Sequence, residues 1–435
     1  MVRLAVACVV ALSLGSAAAV RAADPPPNVV MILGDDQGWK DYGFMGSPVV
    51  KTPHLDKLAA ESLAFPRGYV PTSLCRASLA TMATGLFPHQ NGITSNDPPD
   101  VPEGKKSEKY LKLRADMVAE FERHPNLATL LGKAGYQTYQ AGKWWEGNAC
   151  RCGGFTEGMT HGDPAKGGRH GDAGLTIGRK GIEPVEQFVS AAKKAGKPFF
   201  VWYAPMMPHQ PHTPPDRLLA KYKDKTKSLH VAKYWAMCEW FDETVGDVLK
   251  VLDDQGVAKN TVVVYLHDNG WIQEPEKDTF AAKSKKSQYD GGTRTPILVR
   301  WPGKVAPAKS QALASSVDLA PTILAACGLK PTADMPGVNL LDPAAVAARD
   351  AVFGEIHEHT AVDIHDPAAN LMYRWVIVGN WKLIVPVAAR VPKGAVELYD
   401  LAKDPDEERN LAADHPDRVA DLRKRLDGWW TPKGK

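Results

Sequence analysis

The stretch NVVMILGDD, residues 28–36, decides the fold of this chain. It is a continuous apolar run that ends, after a glycine, in two adjacent acids, Asp35 and Asp36. An uninterrupted apolar run of this length is typical of a strand buried on both faces of a parallel sheet. Open α/β sheets bind their ligands beyond the carboxyl ends of such strands. The stretch therefore predicts a central strand that places Asp35 and Asp36 at a functional edge.

Further strand-like and helix-like segments alternate along the chain after this run. We predict helices over 52–59, 126–133 and an amphipathic segment around Cys238, and strands over 136–141, 198–204, 261–266 and 296–300. Such alternation predicts an α/β fold in which a large, mostly parallel sheet is sandwiched between helices.

The character of the sequence changes after about residue 345. Residues 373–384 have the pattern of a hairpin that turns at Gly379 and Asn380, and residues 415–429 have that of a terminal helix. A chain of 435 residues has room for one large core and a smaller one. We predict a signal peptide over 1–23, a large domain with the functional edge over 24–345, and a smaller α+β C-terminal subdomain over 346–435.

The N-terminus has the pattern of a secretory signal. Arg3 precedes an apolar stretch from Leu4 to about Val20, and small residues at Ala22 and Ala23 fit a cleavage site. A retained anchor is the alternative, but a membrane span needs about 20 apolar residues and this stretch is short. We expect a mature protein without a membrane span, secreted or periplasmic. The net charge of +3, with both signs interspersed, argues against a nucleic-acid partner.

Export would place the cysteines in an oxidising compartment. Removal of the signal leaves Cys75, Cys150, Cys152, Cys238 and Cys327, an odd number that cannot pair completely. Cys238 and Cys327 lie on apolar helical faces, where we expect small buried thiols. Cys150 and Cys152 lie in a glycine-rich loop and form a disulfide or stay free.

Two pairs of oxygen donors follow predicted strands. Asp268 and Asn269 come after strand 261–266, as Asp35 and Asp36 come after the first strand. Adjacent buried carboxylates repel one another unless a cation or a proton compensates. An all-oxygen donor set favours Ca²⁺ or Mg²⁺ over zinc. We therefore predict one divalent cation held by these four residues, most plausibly Ca²⁺.

Three further polar side chains, Lys143, His209 and Lys285, follow other predicted strands or lie in a basic loop. A metal with two lysines suits a tetrahedral oxyanion, and a histidine can protonate a departing oxygen. Each of the three also has an ordinary structural interpretation when it is taken alone.

Seven stretches resemble, in this order, the successive motifs of the type I sulfatases of the alkaline phosphatase superfamily. They are PNVVMILGDD, KTPHLDKLAAESLAF, CRASLATMATGLFPHQNGI, AGYQTYQAGKWWEG, PMMPHQP, HDNG and SQYDGGTRTPILVRWPGK. The resemblance covers nearly the whole mature chain, including LYDLAKDPDEERNLA in the C-terminal subdomain. It implies an alkaline phosphatase-like fold and the hydrolysis of sulfate esters, in a sulfated small molecule or glycan.

The resemblance also implies a role for each candidate. Positions that match the ligands of a single Ca²⁺ are Asp35, Asp36, Asp268 and Asn269. Cys75 matches the nucleophile, which the family oxidises to formylglycine, so a formylglycine-generating enzyme is an implied partner. Lys143, His209 and Lys285 match the sulfate-binding and leaving-group positions. Related phosphonate and phosphodiester hydrolases usually carry histidine at the position of Asn269, so the asparagine favours a sulfatase.

Two positions depart from the family pattern. The maturation motif Cys-x-Pro/Ala-x-Arg ends here in Leu79, and the histidine of Gly-Lys-Trp-His-Leu-Gly is Trp145. In the family this histidine handles protons on the formylglycine, which an indole cannot do.

The departures leave three explanations open. Cys75 is converted, with Arg76 or Lys40 supplying the positive charge and His161 or His267 the base. Alternatively, Cys75 stays a thiol and the enzyme uses a thiolate or metal-bound water. In the third, the protein is a catalytically silent sulfated-glycan binder or a hydrolase of another ester. Candidate sugar contacts are Trp144, Trp145, Trp271, Glu355, His357 and His359.

Overall fold

The computed structural model describes residues 25–162 and 168–432, and the predicted signal peptide over 1–23 lies outside them. The strands are β1 (Asn28–Gly34), β2 (Leu63–Phe65), β3 (Gly68–Tyr69), β4 (Gln137–Gly142), β5 (Glu157–Gly158), β6 (Phe199–Ala204), β7 (Thr261–His267), β8 (Ile297–Arg300), β9 (Ala308–Lys309), β10 (Ala314–Ser315), β11 (Ala351–His357), β12 (Leu371–Val378), β13 (Trp381–Pro386) and β14 (Glu397–Asp400). The α-helices are α1 (Pro53–Ala60), α2 (Cys75–Thr84), α3 (Pro88–Asn91), α4 (Glu108–Glu122), α5 (Leu127–Lys133), α6 (Glu183–Lys194), α7 (Asp216–Leu219), α8 (Leu229–Asp254), α9 (Asp290–Thr293), α10 (Leu319–Ala326), α11 (Pro343–Ala348), α12 (Pro367–Asn370) and α13 (Pro416–Trp429).

The main sheet has eight strands in the order β5-β4-β6-β1-β7-β8-β2-β9. The five strands from β5 to β7 run parallel, and β8 is antiparallel to both of its neighbours. This arrangement confirms the predicted α/β class with a mostly parallel sheet. It also confirms β1 as a central strand, because β1 pairs with β6 on one side and β7 on the other.

The strand β1 is buried along its whole length because both faces of the sheet are covered. Val29, Met31 and Leu33 join one core cluster, which α2, α5 and α10 cover. Val30 and Ile32 join a second cluster on the opposite face, which α1, α6 and α8 cover. Alternation of side chains between the two faces explains why the strand is apolar at every position rather than at every second one.

A separate antiparallel sheet, β11-β12-β13-β14, forms the C-terminal part of the fold. One face, with Trp375, Ile377 and Ile384, packs on Tyr69 of the larger part. The helix α13 covers the other face. The hairpin of β12 and β13 and the terminal helix are as predicted. The domain boundary between residues 345 and 346 stays a prediction, and the first strand of this sheet begins at Ala351.

All five cysteines of the described residues are free thiols. Cys238 is buried in α8, as expected. The expectation that Cys327 is buried is wrong: α10 ends at Ala326, so Cys327 follows the helix and is only partly buried. Among residues 25–162 and 168–432, no helix is both long and apolar enough to cross a membrane.

A buried ion-pair cluster joins the two sheets. Lys382 of β13 places Nζ 2.9 Å from Asp290 Oδ1 and 2.9 Å from Glu407 Oε1. The backbone N–H of Asp290 donates to Glu407 Oε2 at 2.5 Å, and the Tyr69 hydroxyl donates to Asp290 Oδ2 at 3.2 Å. Lys382 thus compensates both buried carboxylates, and Arg294 adds a second, longer ion pair of 3.6 Å to Asp290 Oδ2.

We expect Lys382→Met to lower the free energy of unfolding by roughly 3–5 kcal/mol, because it removes the ion-pair partner of the buried Glu407 and the nearer cation of Asp290. Urea denaturation followed by tryptophan fluorescence measures the change. The control is Lys393→Met, which removes an exposed lysine and should leave the midpoint unchanged. Equal midpoints for the two variants would show that the buried cluster contributes nothing to stability.

Candidate active site

The candidate residues meet because their strands are neighbours in the main sheet. Asp35 and Asp36 follow β1, and Asp268 and Asn269 follow β7. Lys143 follows β4, and His209 lies beyond β6 in the segment that pairs with Asp35 through the bridge Asp35–Pro208. The order β4-β6-β1-β7 brings these carboxyl ends side by side, as the strand-end prediction requires.

The acids form one buried cluster. Asp36 has a left-handed backbone, with φ of 65°, a conformation that aspartate tolerates better than most residues. Its N–H donates to Asp268 Oδ1 at 3.3 Å, and the Asn269 amide donates to Asp36 Oδ1 at 2.6 Å. One ligand atom each from Asp35, Asp36, Cys75 and Asp268 lies within 4.8 Å of the others.

The charge of this cluster fits a divalent cation. Burial and the carboxylates of Asp35 and Asp36 raise the pKa of Asp268 to about 8, against the opposing effect of Lys143 and Lys285. The protein's own groups therefore do not fully compensate three carboxylates in the interior. A hard divalent cation would compensate the remaining negative charge, and oxygen donors are the ligands that Ca²⁺ and Mg²⁺ prefer.

Lys143 bridges two of the acids. Its Nζ lies 2.6 Å from Asp35 Oδ2 and 3.3 Å from Asp268 Oδ2, and the side chain is 2% exposed. The preceding Gly142 has φ of 105°, and a Cβ there would lie 2.0 Å from the carbonyl oxygen of Ala204. Only glycine lets β4 approach β6 this closely and turn Lys143 toward the acids.

Lys285 reaches the cluster from the loop before α9. Its Nζ lies 2.6 Å from Asp36 Oδ1 and the side chain is 8% exposed. The Ser73 hydroxyl donates to the carbonyl of Ser287 at 2.8 Å, and the N–H of Lys286 donates to the carbonyl of Ser73 at 3.2 Å. These bonds hold the Lys285 loop against the segment that precedes Cys75.

Cys75 is the first residue of α2, where the helix dipole favours negative charge. Its Sγ lies 3.6 Å from Asn269 Oδ1 and 4.0 Å from Asp35 Oδ1. Burial raises the pKa of the thiol to about 12, although Lys143 and Lys285 oppose the rise. Without further positive charge, the unmodified residue is a protonated thiol and a weak nucleophile at neutral pH.

A pocket of about 180 Å³ opens onto Cys75. Predicted site residues in its wall are Asp36, Cys75, Lys143, His209 and Lys285. The other three predicted residues contact this wall, because Asp35 and Asp268 bond to Lys143 and Asn269 bonds to Asp36. The structure therefore brings together all eight predicted residues. Of the candidate sugar contacts, Trp145, Trp271 and His359 also line the pocket.

The other candidate sugar contacts are structural. Trp144 packs edge-to-face against Phe121, Phe155 and Trp202 in the core. Glu355 is fully buried, with both carboxylate oxygens 3.0 Å from the ring nitrogen of His89. His357 is buried beside Glu355.

The residues expected to replace the family arginine do not reach the pocket. Arg76 is buried and forms a two-bonded ion pair with Glu146, with distances of 2.8 Å and 2.5 Å. Lys40 is exposed and pairs with Asp406 at 2.5 Å. Leu79 lies in the apolar core. These expectations were wrong because each cation pairs with a carboxylate away from the pocket, Arg76 with Glu146 and Lys40 with Asp406, and such pairings cannot be read from the sequence.

Neither histidine expected to replace the family base lines the pocket. His161 is exposed. The ring of His267 lies under the sheet among Tyr42, Phe241 and Tyr265, and burial lowers its pKa to about 3. A Cβ at Gly34 would lie 2.0 Å from this ring, so the β1–β7 pairing itself encloses it.

The structure adds five polar residues to the pocket, Asn96, Arg169, His170, Gln210 and Lys286. Arg169 donates to Asp97 through Nε at 2.8 Å and Nη2 at 2.5 Å, and its guanidinium lies 4.6 Å from the centre of the Trp145 ring. Arg169 and His170 belong to a long glycine-rich loop, which carries no periodicity that sequence reasoning could use.

Two family profiles match this chain. One, described as Sulfatase, matches residues 27–329. The other, described as N-sulphoglucosamine sulphohydrolase, C-terminal, matches residues 280–429.

Curated relatives are sulfatases by name. N-acetylgalactosamine-6-sulfatase of Rattus norvegicus is 29% identical over 368 residues, which cover 73% of this chain and 66% of the relative. The chain thus spans about two thirds of the length of that relative. N-acetylgalactosamine-6-O-sulfatase of Bacteroides thetaiotaomicron is 23% identical over 502 residues, which cover 92% of each chain.

Solved structures share the fold. The crystal structure of Ps i-CgsB has a TM-score of 0.72 at 23% identity and covers 94% of both chains. A structure of a protein in complex with its substrate D-glucosamine-2-N,6-O-disulfate has a TM-score of 0.70 at 19% identity and covers 93% of this chain and 97% of the other.

Proposed function

Because this chain belongs to the sulfatase family, we propose that it is a secreted or periplasmic, metal-dependent sulfatase that hydrolyses sulfate esters of glycans. The observation that carries the proposal is the site in which four oxygen-donor residues, two buried lysines, His209 and Cys75 meet. Five of these eight residues line one pocket, and Asp35, Asp268 and Asn269 contact its wall. The names of relatives that act on N-acetylgalactosamine sulfate support a sugar substrate. The predicted division of the chain after residue 345 is part of the proposal.

The cation is proposed to be Ca²⁺, held by the oxygens of Asp35, Asp36, Asp268 and Asn269. When bound, it would neutralise developing charge on sulfate oxygens as a Lewis acid. The acids already lie within ligand distance of one another, and the raised pKa of Asp268 reflects the charge that a cation would offset. Mg²⁺ is the alternative, although it demands a stricter octahedral geometry.

Lys143 and Lys285 are proposed to bind the sulfate group. Both ammonium groups are held at fixed positions by carboxylates, Lys143 by Asp35 and Lys285 by Asp36. Fixed charges stabilise a developing oxyanion better than mobile ones, because they need no reorganisation.

His209 is proposed to protonate the departing sugar oxygen. Its Nδ1 lies 2.5 Å from the carbonyl of Gln210, so Nδ1 carries the hydrogen and donates it. The other nitrogen, Nε2, faces the cluster and lies 3.5 Å from Asp36 Oδ2. A proton on Nε2 can therefore pass to an oxygen bound between Lys285 and His209.

Cys75 is proposed to be the nucleophile position, converted to formylglycine by a formylglycine-generating enzyme. Its place at the start of α2 and beside Asp35 and Asn269 supports the position. The raised pKa of the thiol argues against an unassisted thiolate in the same place.

A catalytically silent sulfated-glycan binder is the second candidate. Leu79 lies in the core and Trp145 lines the pocket. In the folded protein, neither position therefore offers the charged or titratable side chain that the family has there. A phosphodiester or phosphonate hydrolase is disfavoured by Asn269.

The proposal predicts that the purified protein, loaded with Ca²⁺, releases inorganic sulfate from at least one member of a panel of 2-, 3-, 4- and 6-O-sulfated mono- and disaccharides. Ion chromatography measures the sulfate. Aryl phosphodiesters, assayed beside this panel, test for the phosphodiester or phosphonate hydrolase. Sulfated-sugar binding without any release of sulfate would replace the enzyme with the binder.

A further inference from the structure

One histidine in the wall of the pocket, His170, has a buried ring nitrogen without a hydrogen-bond partner in the described part of the chain. The residue is half-buried, lines the pocket with Cys75, and leaves its Nδ1 buried without a hydrogen bond among the described residues. Buried polar atoms normally have a partner. An unpaired ring nitrogen in a nucleophile's pocket therefore points to a group that forms its bond during the reaction.

The two other histidines of the pocket are already engaged. The Nδ1 of His209 is bonded to the carbonyl of Gln210, and its Nε2 faces Asp36. The Nε2 of His359 lies 3.3 Å from the Asn96 amide, which is an obligatory donor, so this nitrogen is the acceptor. With His209 assigned to the departing sugar oxygen and His359 bonded to Asn96, His170 is the pocket imidazole left without a role.

His170 is held in place from two sides. Its backbone carbonyl accepts from the N–H of Trp144 at 3.1 Å, which fixes the residue to the end of β4 beside Lys143. Its ring meets the Trp145 indole edge-to-face, with centroids 5.2 Å apart. A group anchored in this way needs little reorganisation to act on a neighbouring atom.

The charges around His170 keep it in the form that accepts a proton. Burial, together with Lys143, Arg169 and His209, lowers the pKa of His170 to about 3, against the opposing effect of Asp35. The imidazole is therefore neutral at neutral pH.

We propose that His170 is the proton acceptor for the nucleophile at residue 75, acting beside Trp145, which cannot accept a proton. The inference rests on the proposed function. Hydrolysis consumes one water and yields an alcohol, sulfate and one proton. At the hydrated formylglycine of residue 75 one O–H bond breaks as its oxygen forms a bond to sulfur, and its proton forms an N–H bond on His170, directly or through pocket water. The bond between sulfur and the sugar oxygen breaks in the same step, and His209 protonates the departing oxygen. Water then releases sulfate and restores the hydrate. His170 later returns this proton to solvent.

The test compares His170→Ala and His170→Gln with the full-length enzyme on the best substrate of the panel. We expect kcat to fall by roughly 10²–10⁴-fold, the usual contribution of a positioned base, with KM and the mass of the residue 75 peptide unchanged. Added imidazole should restore part of the rate to His170→Ala. The matched control is His161→Ala, which changes an exposed histidine outside the pocket and should keep the wild-type rate.

The conservative variant and a double variant keep the test decisive if alanine at residue 170 disturbs the loop. His170→Gln preserves the volume and polarity of the side chain, and the double variant His170→Ala/Trp145→His puts an imidazole back at the neighbouring position. We expect the double variant to exceed His170→Ala by about tenfold or more in kcat. A wild-type enzyme that releases sulfate while both single variants keep kcat within about threefold overturns the role of His170 alone. A wild-type protein that releases no sulfate overturns the proposed function with it.

Discussion

Replacement of Cys75 by alanine is expected to abolish sulfate release, with a loss in kcat of roughly 10⁵–10⁶-fold, the scale seen when an enzyme loses its nucleophile. Cys75 is the one side chain that begins α2, contacts the acid cluster and lines the pocket. Alanine removes the reacting atom but keeps the helix, since it is the best helix former. Binding of a sulfated sugar should persist, because Lys143 and Lys285 are untouched.

Cys238→Ala is the matched control, because Cys238 is also a buried helical thiol but lies in another core cluster. It should keep the wild-type rate. Peptide mass spectrometry of the wild type then tells which chemical form reacts, since conversion to formylglycine removes the mass of H₂S less that of one oxygen atom. Full activity from a wholly unmodified thiol would contradict the formylglycine part of the proposal, and an active Cys75→Ala would contradict the nucleophile itself.

Residues next to strand ends were predictable because topology alone places them. The run over 28–36 specified a central strand, and a parallel sheet must bring the carboxyl ends of neighbouring strands to one edge. Asp36 and Asp268 therefore meet although 232 positions separate them. The helix predicted over 52–59 was also found, but from its local sequence rather than from topology, and α1 spans Pro53–Ala60.

Side chains on long loops were not predictable in the same way. Arg169 and His170 reach the pocket from a loop whose path depends on tertiary contacts, such as the bond from the Trp144 N–H to His170. Arg76 shows the converse case. It follows Cys75 directly, yet it points away from the pocket because Glu146 offers a buried carboxylate behind it. Sequence distance to the nucleophile says little when a stronger ionic partner lies on the other side of the helix.

Trp145, which stands where the family has a histidine, has a physical consequence for Lys143. The Trp145 ring centre lies 5.9 Å from the Lys143 ammonium and 4.6 Å from the Arg169 guanidinium. An indole here supplies a negative π-face in place of a titratable ring. The Trp145 indole thus holds the Lys143 and Arg169 cations where the family has a histidine. In our proposal, the proton-accepting role of that histidine passes to His170.

Asp35→Asn is expected to lower kcat/KM at least about 10³-fold, because loss of a metal ligand removes several kcal/mol of charge stabilisation and each 1.4 kcal/mol is a factor of ten. Asparagine keeps the size of the side chain and one oxygen, but it removes the charge that Lys143 contacts at 2.6 Å. Removal of metal with EDTA should inactivate the wild type, and added Ca²⁺ should restore it. In the variant the Ca²⁺ concentration needed for half-maximal activity should rise.

Asp318→Asn separates this effect from the cost of changing any buried carboxylate. Asp318 is fully buried and bonded to Arg349, so it resembles Asp35 in burial and pairing, but it lies outside the pocket. The control should lose stability and keep its Ca²⁺ dependence. If both variants keep the wild-type Ca²⁺ requirement, Asp35 is not a ligand. Asp35 would then serve to hold Lys143, which it contacts at 2.6 Å, and the cation would be left to Asp36, Asp268 and Asn269.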